Sequence, residues 1–429
     1  MSNATIALRN LPDDVRLLRL EALVAASESL NRASGLDDIL RVILNLVATQ
    51  LESERGTVFL RDQRTDKLHA RQMIGSENHI EIVLERGVGI AGYVAETGES
   101  VLINDVQADP RFDSSTDVRT GFVTRTMLCV PLKKPEGTLV GSLQAINARA
   151  GHFTDADLAY LESFAALAAV AVEREQLAQE AVRSQMLSTE LNLARKIQQR
   201  LLPPSGIISL PQPLTAWGTS QPCFDVGGDA YDVVMLPTGE CAFWVADVSG
   251  KGIGAALLMS TLQTELRAFV RAETDLARLA TELNARVTDV APLGTYATLF
   301  LAVLDTASGG LRYVNAGHLP PVWMNRQLGD ERDFEATGMP IGLLPGSEYE
   351  AGATRFAPGE RLAIFSDGVT EAENIAGIQY EQDGLAESFE RINAHAVEQI
   401  GQEFFNALDC FRIGAPAKDD TTFLVIGLG

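Results

Sequence analysis

A long uninterrupted helix most constrains what this chain can fold into. From Phe153 to Leu202 the sequence contains neither glycine nor proline, and two prolines follow at once. Thr154 and Asp157 have the spacing of an N-terminal capping box, and prolines end helices, so one helix is predicted between these points. At about 1.5 Å per residue, about 48 residues extend on the order of 70 Å, which exceeds the core of one domain. The helix is therefore predicted to connect two folded bodies.

A partial heptad repeat runs along this helix. The apolar residues that fit one a/d register are Leu177, Leu187, Leu191, Ala194 and Leu201. The polar residues that occupy the same register and weaken it are Glu180, Ser184 and Gln198. Two interpretations stay open: a coiled coil between two copies of the chain, or a solvated helix packed on its own domains. The pattern favours the first, and with it a homodimer.

Charge and composition exclude several classes of function. The 429 residues include 35 Lys and Arg against 57 Asp and Glu, a net charge of −22 that opposes binding to nucleic acid or to anionic membranes. No stretch approaches the roughly 18 consecutive apolar residues of a membrane helix. Since the N-terminus also lacks a secretory signal pattern, we expect a cytoplasmic protein. The four cysteines and five histidines are scattered, which argues against a zinc cluster or a disulfide framework.

The segments before Phe153 predict an antiparallel sheet with flanking helices. Two helices are expected at residues 14–31 and 36–51. Apolar or alternating runs bounded by turn residues then predict strands at 56–60, 81–85, 100–105, 127–132 and 140–147.

The chain beyond Pro204 predicts an α+β domain of about 225 residues, because strand and helix patterns alternate in blocks. Its strand-like segments are LTAWGTS, AYDVVML, CAFWVAD, YATLFLAVLD, LRYVNAG, RLAIFSD and TTFLVIGL, with two helical segments between Gly254 and Asp289.

Two aspartates are predicted to face each other across a hairpin. The segments that begin at Asp229 and end at Asp247 flank a Pro-Thr-Gly turn. If the turn is centred on Thr238, residues whose numbers sum to 476 are opposite each other, as 229 and 247 are. Facing Cβ atoms lie about 5 Å apart, so two carboxylates would repel unless a cation lies between them. A divalent metal is the predicted cation.

Two more acidic positions repeat this arrangement. Asp367 follows one predicted strand, and Asp419 and Asp420 precede another, so antiparallel pairing would bring them to one sheet edge. Any one of these acids alone is better explained as a turn or cap residue. Four strand ends together predict an all-oxygen site for Mg²⁺ or Mn²⁺. Two such ions could share a hydroxide that attacks phosphorus in line.

The second half resembles the SpoIIE/RsbU branch of the PPM (type 2C-like) serine/threonine phosphatases. The motifs that carry the resemblance, in chain order, are LARKIQQRLLP (193–203), VGGDAYD (226–232), ADVSGKGIGAALLM (246–259), YVNAGHLPP (313–321), GMPIGLL (338–344), IFSDGVTEAEN (364–374) and KDDTTFLVI (418–426). The resemblance implies a PPM-type α/β/β/α sandwich with two Mn²⁺ or Mg²⁺ ions. Its implied catalytic residues are Asp229, Asp247, Asp367 and Asp419, and its implied metal ligands add Val248, through the carbonyl, and Asp420.

The first half resembles a GAF domain across residues 36–175, which implies a small-ligand sensor or dimerisation module. The run Gly87 to Gly92 spells G-x-G-x-x-G, but Gly98 follows too soon for the helix of a dinucleotide site. Asn147-Ala148 and Phe153-x3-Asp157 keep only part of the signature of cyclic-nucleotide-binding GAF domains. The ligand of this half is therefore left open.

The sequence as a whole predicts a GAF-regulated, metal-dependent protein phosphatase in signal transduction. We expect an N-terminal helix (1–35), a GAF domain (36–175), a connecting helix (176–204) and a phosphatase domain (205–429). The resemblance implies a phosphoserine or phosphothreonine protein as substrate, namely a STAS-domain anti-anti-sigma regulator of a stress response. A partner-binding pseudophosphatase and a small-molecule phosphoesterase are the alternatives. Lys251 is expected to be solvated rather than to bind phosphate, and His318 to fix a loop.

Overall fold

The chain divides into two compact units at Gln185 and Met186. The computed structural model describes residues 12–62, 64–74, 82–85, 87–324, 334–392 and 395–429. Each unit contains antiparallel sheets and its own apolar core. None of the helices within these ranges combines the length and the apolar character that crossing a bilayer requires.

The first unit is one six-stranded antiparallel sheet with helices around it. Helices α1 (Asp13–Arg32) and α2 (Leu36–Gln50) come first, and α3 (Gly89–Thr97) and α4 (Ser115–Thr120) lie between strands. In the order β3-β2-β1-β6-β5-β4, the strands are β1 (Ser53–Arg61), β2 (Leu68–Ile74), β3 (Val83–Leu84), β4 (Val101–Ile103), β5 (Met127–Lys133) and β6 (Leu139–Ala148). The predicted antiparallel sheet with flanking helices is confirmed.

Two strands of this sheet differ from the sequence-based expectation. The strand expected at 81–85 is only two residues long within the described residues, and residue 81 lies outside them. Strand β2 was not predicted, because His69, Arg71 and Gln72 interrupt its apolar pattern. Its pairing with the buried strand β1 overrides that weak local signal.

Helix α5 (Asp155–Gln199) is the long helix that the sequence predicts, at 45 residues. The predicted capping box is confirmed: the Thr154 amide donates to Asp157 Oδ2 at 2.9 Å, and the Asp157 amide donates to Thr154 Oγ1 at 3.3 Å. Residues of its first five turns, such as Leu161 and Phe164, are buried in the core of the first unit. Further along, its apolar side chains Leu177, Val182, Met186, Leu187, Leu193 and Ile197 are exposed.

The second unit consists of two five-stranded antiparallel sheets. In the order β14-β12-β11-β10-β9, the first sheet contains β9 (Asp229–Met235), β10 (Cys241–Val248), β11 (Ala297–Leu304), β12 (Gly310–Ala316) and β14 (Gly352–Arg355). In the order β13-β15-β16-β8-β7, the second contains β7 (Gly206–Ile208), β8 (Leu214–Gln221), β13 (Val322–Met324), β15 (Arg361–Phe365) and β16 (Thr421–Leu428).

Helices cover the outer face of each sheet, which completes four layers. Helices α6 (Ile253–Ala272) and α7 (Leu276–Val290) pack on the first sheet. The short helix α8 (Asp367–Thr370) follows β15, and helices α9 (Glu381–Ile392) and α10 (Val397–Arg412) pack on the second sheet. Aromatic residues such as Phe243 and Phe300 fill the space between the sheets. The expected α+β class and the α/β/β/α sandwich are confirmed.

Helices α9 and α10 were not predicted from the sequence. A glycine interrupts the pattern of each, Gly384 in α9 and Gly401 in α10. At Gly401 the structure explains the choice, because a Cβ atom there would lie 2.1 Å from Cδ2 of Trp217. The glycine weakens the local helix signal and lets the indole pack against the helix.

Candidate metal centre at four strand ends

The β9–β10 hairpin places Asp229 opposite Asp247, as predicted. The register runs without a break from this pair to Met235 opposite Cys241. The turn that sets it is closed by hydrogen bonds from the Leu236 amide to the Glu240 carbonyl at 2.8 Å and from the Gly239 amide to the Leu236 carbonyl at 3.0 Å. Because a shift of one residue would turn every side chain to the other face, this turn fixes which acids meet.

The second acidic pair lies at the end of the β15–β16 ladder. These strands are antiparallel, with Phe365 opposite Phe423, and the Ser366 amide extends the ladder by donating to the Thr422 carbonyl at 3.0 Å. Asp367 therefore emerges beside Asp419. The predicted antiparallel pairing is confirmed, and it brings Asp367 and Asp419 to the same edge of one sheet, while the strands that carry Asp229 and Asp247 belong to the other sheet of the unit.

The carboxylates are buried close enough together to change each other's ionisation. Burial, and then the charge of Asp247, raises the pKa of Asp229 well above its usual range. Burial, and then Asp367, raises the pKa of Asp247 to about 7. Burial, followed by Glu371 and Asp419, raises the pKa of Asp367 to about 6. Such mutual repulsion favours a bound cation.

The residues present fit a hard divalent metal. Oδ2 of Asp229 is buried and has no hydrogen-bond partner among the described residues. The Val248 carbonyl approaches the same loop, since a Cβ at Gly228 would lie 2.9 Å from its oxygen. Carboxylate and carbonyl oxygens are the donors that Mg²⁺ and Mn²⁺ prefer.

Asp420 has contacts that set it apart from the other acids. It is buried, and it accepts hydrogen bonds from the Cys223 amide at 2.8 Å and the Gly228 amide at 2.5 Å, one on each oxygen. A Cβ at Gly227 would lie 2.6 Å from its Oδ2. These contacts hold the loop 222–228, which leads into Asp229, and they explain the paired glycines of the VGGD motif.

A cysteine joins this group, although no sequence spacing pointed to it. The Cys223 sulfur and one oxygen each from Asp419 and Asp420 lie within 4.8 Å of one another. Burial, followed by the charge of Asp420, raises the pKa of the Cys223 thiol to about 11. The thiol is therefore protonated at neutral pH in the metal-free protein.

Gln198, near the C-terminal end of α5, binds the same loop from the other side. Its side chain is buried, with Nε2 donating to the Gly227 carbonyl at 2.7 Å and Oε1 accepting from the Gly227 amide at 3.1 Å. The sequence pattern treats this polar residue as a weakness of the heptad register. In the structure Gln198 and loop 222–228 belong to the same compact unit, and the side chain is buried against that loop.

Lys251 and His318 lie at the edges of the site. The Lys251 ammonium pairs with Asp419 Oδ2 at 2.8 Å, whereas the sequence led us to expect a solvated side chain. Nδ1 of His318 shares a hydrogen bond of 2.8 Å with the Thr298 hydroxyl, and Thr298 is opposite Asp247 in the β10–β11 ladder. Burial lowers the pKa of His318 to about 4, so the imidazole is neutral at physiological pH.

Comparison with known families decides what this architecture is. Residues 237–428 match the family model described as Stage II sporulation protein E (SpoIIE), and residues 35–172 match the GAF domain model. The chain carries a GAF domain followed by a SpoIIE-type PPM phosphatase domain. Both expected resemblances are thereby confirmed.

Individual relatives of this GAF–SpoIIE chain match it in part. Protein IcfG of Synechocystis sp. (strain ATCC 27184 / PCC 6803 / Kazusa) is 29% identical over 271 residues, which are 55% of this chain and 41% of IcfG. Phosphoserine phosphatase RsbU of Bacillus subtilis (strain 168) is 25% identical over 224 residues, 52% of this chain and 66% of RsbU. The solved SiaA-PP2C domain of Pseudomonas aeruginosa is 19% identical, with a TM-score of 0.49, and the match covers 58% of this chain and 99% of that domain. The chain thus spans less than half the length of IcfG.

The GAF domain contains a pocket between its sheet and helix α3. Apolar residues line much of it, and Thr57, Gln144 and Asp117 add polar groups. Neither Asn147 nor Phe153, the residues of the partial cyclic-nucleotide signature, is among those that line it. Asn147 instead accepts the Arg125 amide at 2.7 Å, which gives it a role in the fold of a neighbouring loop.

Proposed function

We propose that this chain is a metal-dependent protein serine/threonine phosphatase whose activity the GAF domain regulates. The observation that carries the proposal is the convergence of four carboxylates from four strand ends, three of which, Asp229, Asp247 and Asp367, have pKa values raised by burial and by neighbouring carboxylates. The SpoIIE family match and the phosphoserine phosphatase named among the relatives support it.

In this proposal Asp229, Asp247, Asp367 and Asp419 hold two Mn²⁺ or Mg²⁺ ions, with the Val248 carbonyl as a further ligand. When bound, such ions lower the pKa of water and offset the negative charge of a phosphoryl group. The carboxylates start from rigid strand ends, so they keep their positions when the phosphorylated side chain enters.

We assign Asp420 a positioning role rather than direct metal binding, since both of its oxygens already accept backbone amides. Together with Gln198 it keeps loop 222–228 in place and thereby sets the direction of the Asp229 side chain. His318, neutral and hydrogen-bonded to Thr298 of β11, is proposed to support the strand that pairs with the one carrying Asp247. This is a structural role rather than one in proton transfer.

The proposed substrate is a phosphoserine or phosphothreonine on a STAS-domain regulator in the cytoplasm. This part of the proposal rests on the family resemblance. The proposed homodimer forms through α5, where six apolar side chains from Leu177 to Ile197 are exposed. A small ligand in the GAF pocket would alter the packing of that helix. The boundaries proposed for the parts are 36–175 for the GAF domain, 176–204 for the connecting helix and 205–429 for the phosphatase domain.

The test is phosphate release from a phosphoserine STAS protein in the presence of Mn²⁺, with p-nitrophenyl phosphate as the comparison substrate. We expect release by the wild type to stop with chelator and to fall by at least about a hundredfold in Asp367→Ala, because a lost metal ligand removes transition-state charge stabilisation. Asp289→Ala, which removes an exposed carboxylate of α7, should match the wild type.

Each alternative has its own outcome in this assay. Release only from p-nitrophenyl phosphate would indicate a small-molecule phosphoesterase. Binding of the phosphoprotein without any release would indicate a pseudophosphatase.

A further inference from the structure

Lys251 lies on the turn that connects strand β10 to helix α6. It stands between Gly250 and Gly252, whose φ angles are +90° and +79°. Glycine adopts such angles without steric cost, so the backbone can turn sharply on both sides of Lys251. The turn places the lysine side chain next to Asp419 of the acid cluster. Within the described ranges of the chain, no other lysine or arginine forms an ion pair with Asp229, Asp247, Asp367, Asp419 or Asp420.

The Lys251 ammonium occupies the side of Asp419 that a metal would need. Its Nζ lies 2.8 Å from Asp419 Oδ2 and also donates to the Lys418 carbonyl. The other oxygen of Asp419, Oδ1, accepts the Asp420 amide at 2.9 Å. Both oxygens are therefore engaged, Oδ1 by a backbone amide and Oδ2 by the partly exposed side chain of Lys251.

We infer that Lys251 is a counter-ion that competes with a divalent metal for Asp419 and so weakens metal binding at that position. The inference rests on the proposed function, because it concerns the same carboxylates. In the metal-free protein the ammonium offsets part of the negative charge of the cluster. A divalent ion that takes Asp419 Oδ2 must displace it.

The size of the effect follows from the exposure of the pair. The side chains of Lys251 and Asp419 are 42% and 30% exposed, so water screens their attraction. Breaking such a screened ion pair costs the wild type only a small part of its metal-binding free energy. Without the ammonium, the divalent ion also no longer lies next to a positive charge, which strengthens metal binding further. Together these effects predict Mn²⁺ binding about three- to tenfold tighter when the ammonium is absent.

The test is a titration of the metal-free full chain with Mn²⁺. Binding is measured by isothermal titration calorimetry and, separately, by the electron paramagnetic resonance signal of free Mn²⁺. Lys251→Met removes the charge and keeps the length of the side chain, and we expect it to tighten the weaker binding event by the stated factor. Lys251→Arg keeps the charge and should stay within about twofold of the wild type. Lys418→Met is the matched control, since it removes a neighbouring charge that pairs with Glu373 rather than with Asp419.

The outcomes separate this inference from the proposed function. A wild type that binds Mn²⁺ together with a Lys251→Met variant that binds no tighter would overturn the inference alone. A wild type that binds no Mn²⁺ would overturn both. A second measurement needs no variant: in a crystal structure with Mn²⁺ on Asp419, the Lys251 Nζ should lie well away from Oδ2, and a contact kept at 2.8 Å would refute the competition.

Discussion

Asp247→Asn tests whether the acid cluster lowers the stability of the metal-free protein. Burial and Asp367 raise the pKa of Asp247 from 3.8 to about 7. The folded state therefore holds a proton on this carboxyl more tightly than the unfolded chain does. The free energy of unfolding must then fall as the pH rises from about 4 to about 7. A pKa difference of about 3 corresponds to about 4 kcal/mol lost above pH 7.

The asparagine is neutral at every pH, and its amide can donate to the unpartnered Oδ2 of Asp229. By differential scanning calorimetry in chelator, we expect the variant to melt about 10 °C above the wild type at pH 8. The difference in melting temperature should fall to less than half of this value at pH 5, because Asp247 of the folded wild type is then protonated. Saturating Mn²⁺ should reverse the order, because only the wild type keeps the ligand.

Asp289→Asn, a change to an exposed carboxylate of the same unit, is the control and should melt with the wild type at both pH values. An Asp247→Asn variant no more stable than the wild type at pH 8, or a gap that widens as the pH falls, would refute the reasoning.

Two further predictions concern the surroundings of the site, and a third concerns the long helix. Gln198→Ala removes both side-chain partners of the Gly227 backbone, and should lower the free energy of unfolding by about 2 kcal/mol in urea titrations; an unchanged midpoint would contradict the contact. Gly368→Ala places a Cβ 2.0 Å from the Asp420 carbonyl oxygen, so Mn²⁺-dependent phosphate release should fall at least about tenfold, and wild-type rates would show that the loop yields freely. Leu187→Asp, on the exposed part of α5, should convert a dimer to a monomer in analytical ultracentrifugation, whereas an unaltered dimer would place the interface elsewhere.

The hairpin shows what the sequence could predict about this site. The Pro-Thr-Gly turn and the strand-like segments on either side fix a register by counting alone, and Asp229 and Asp247 meet where the count places them. The strands before Asp367 and after Asp420 could also be predicted from the sequence, because a buried apolar run identifies each of them. Local patterns are sufficient where a strand is a largely apolar run that is buried along nearly its whole length, as in these four strands.

Other parts of the site depend on contacts between distant segments. Gln198 and Gly227 are 29 residues apart, and Cys223 and Asp420 are 197 apart, so no local pattern joins them. Asp419 and Asp420 are adjacent and chemically identical. The backbone nevertheless directs one carboxylate towards Lys251 and the other towards loop 222–228. In the proposed site, that direction decides which acid would bind metal and which holds the loop.

Anomalous diffraction from crystals of the full chain soaked in Mn²⁺ tests the central claim most directly. If the four strand ends form a metal centre, two anomalous peaks should appear between Asp229, Asp247, Asp367 and Asp419, each within about 2.5 Å of carboxylate oxygens. The absence of peaks between these residues would contradict the claim, and so would a single peak held by Cys223 and Asp420.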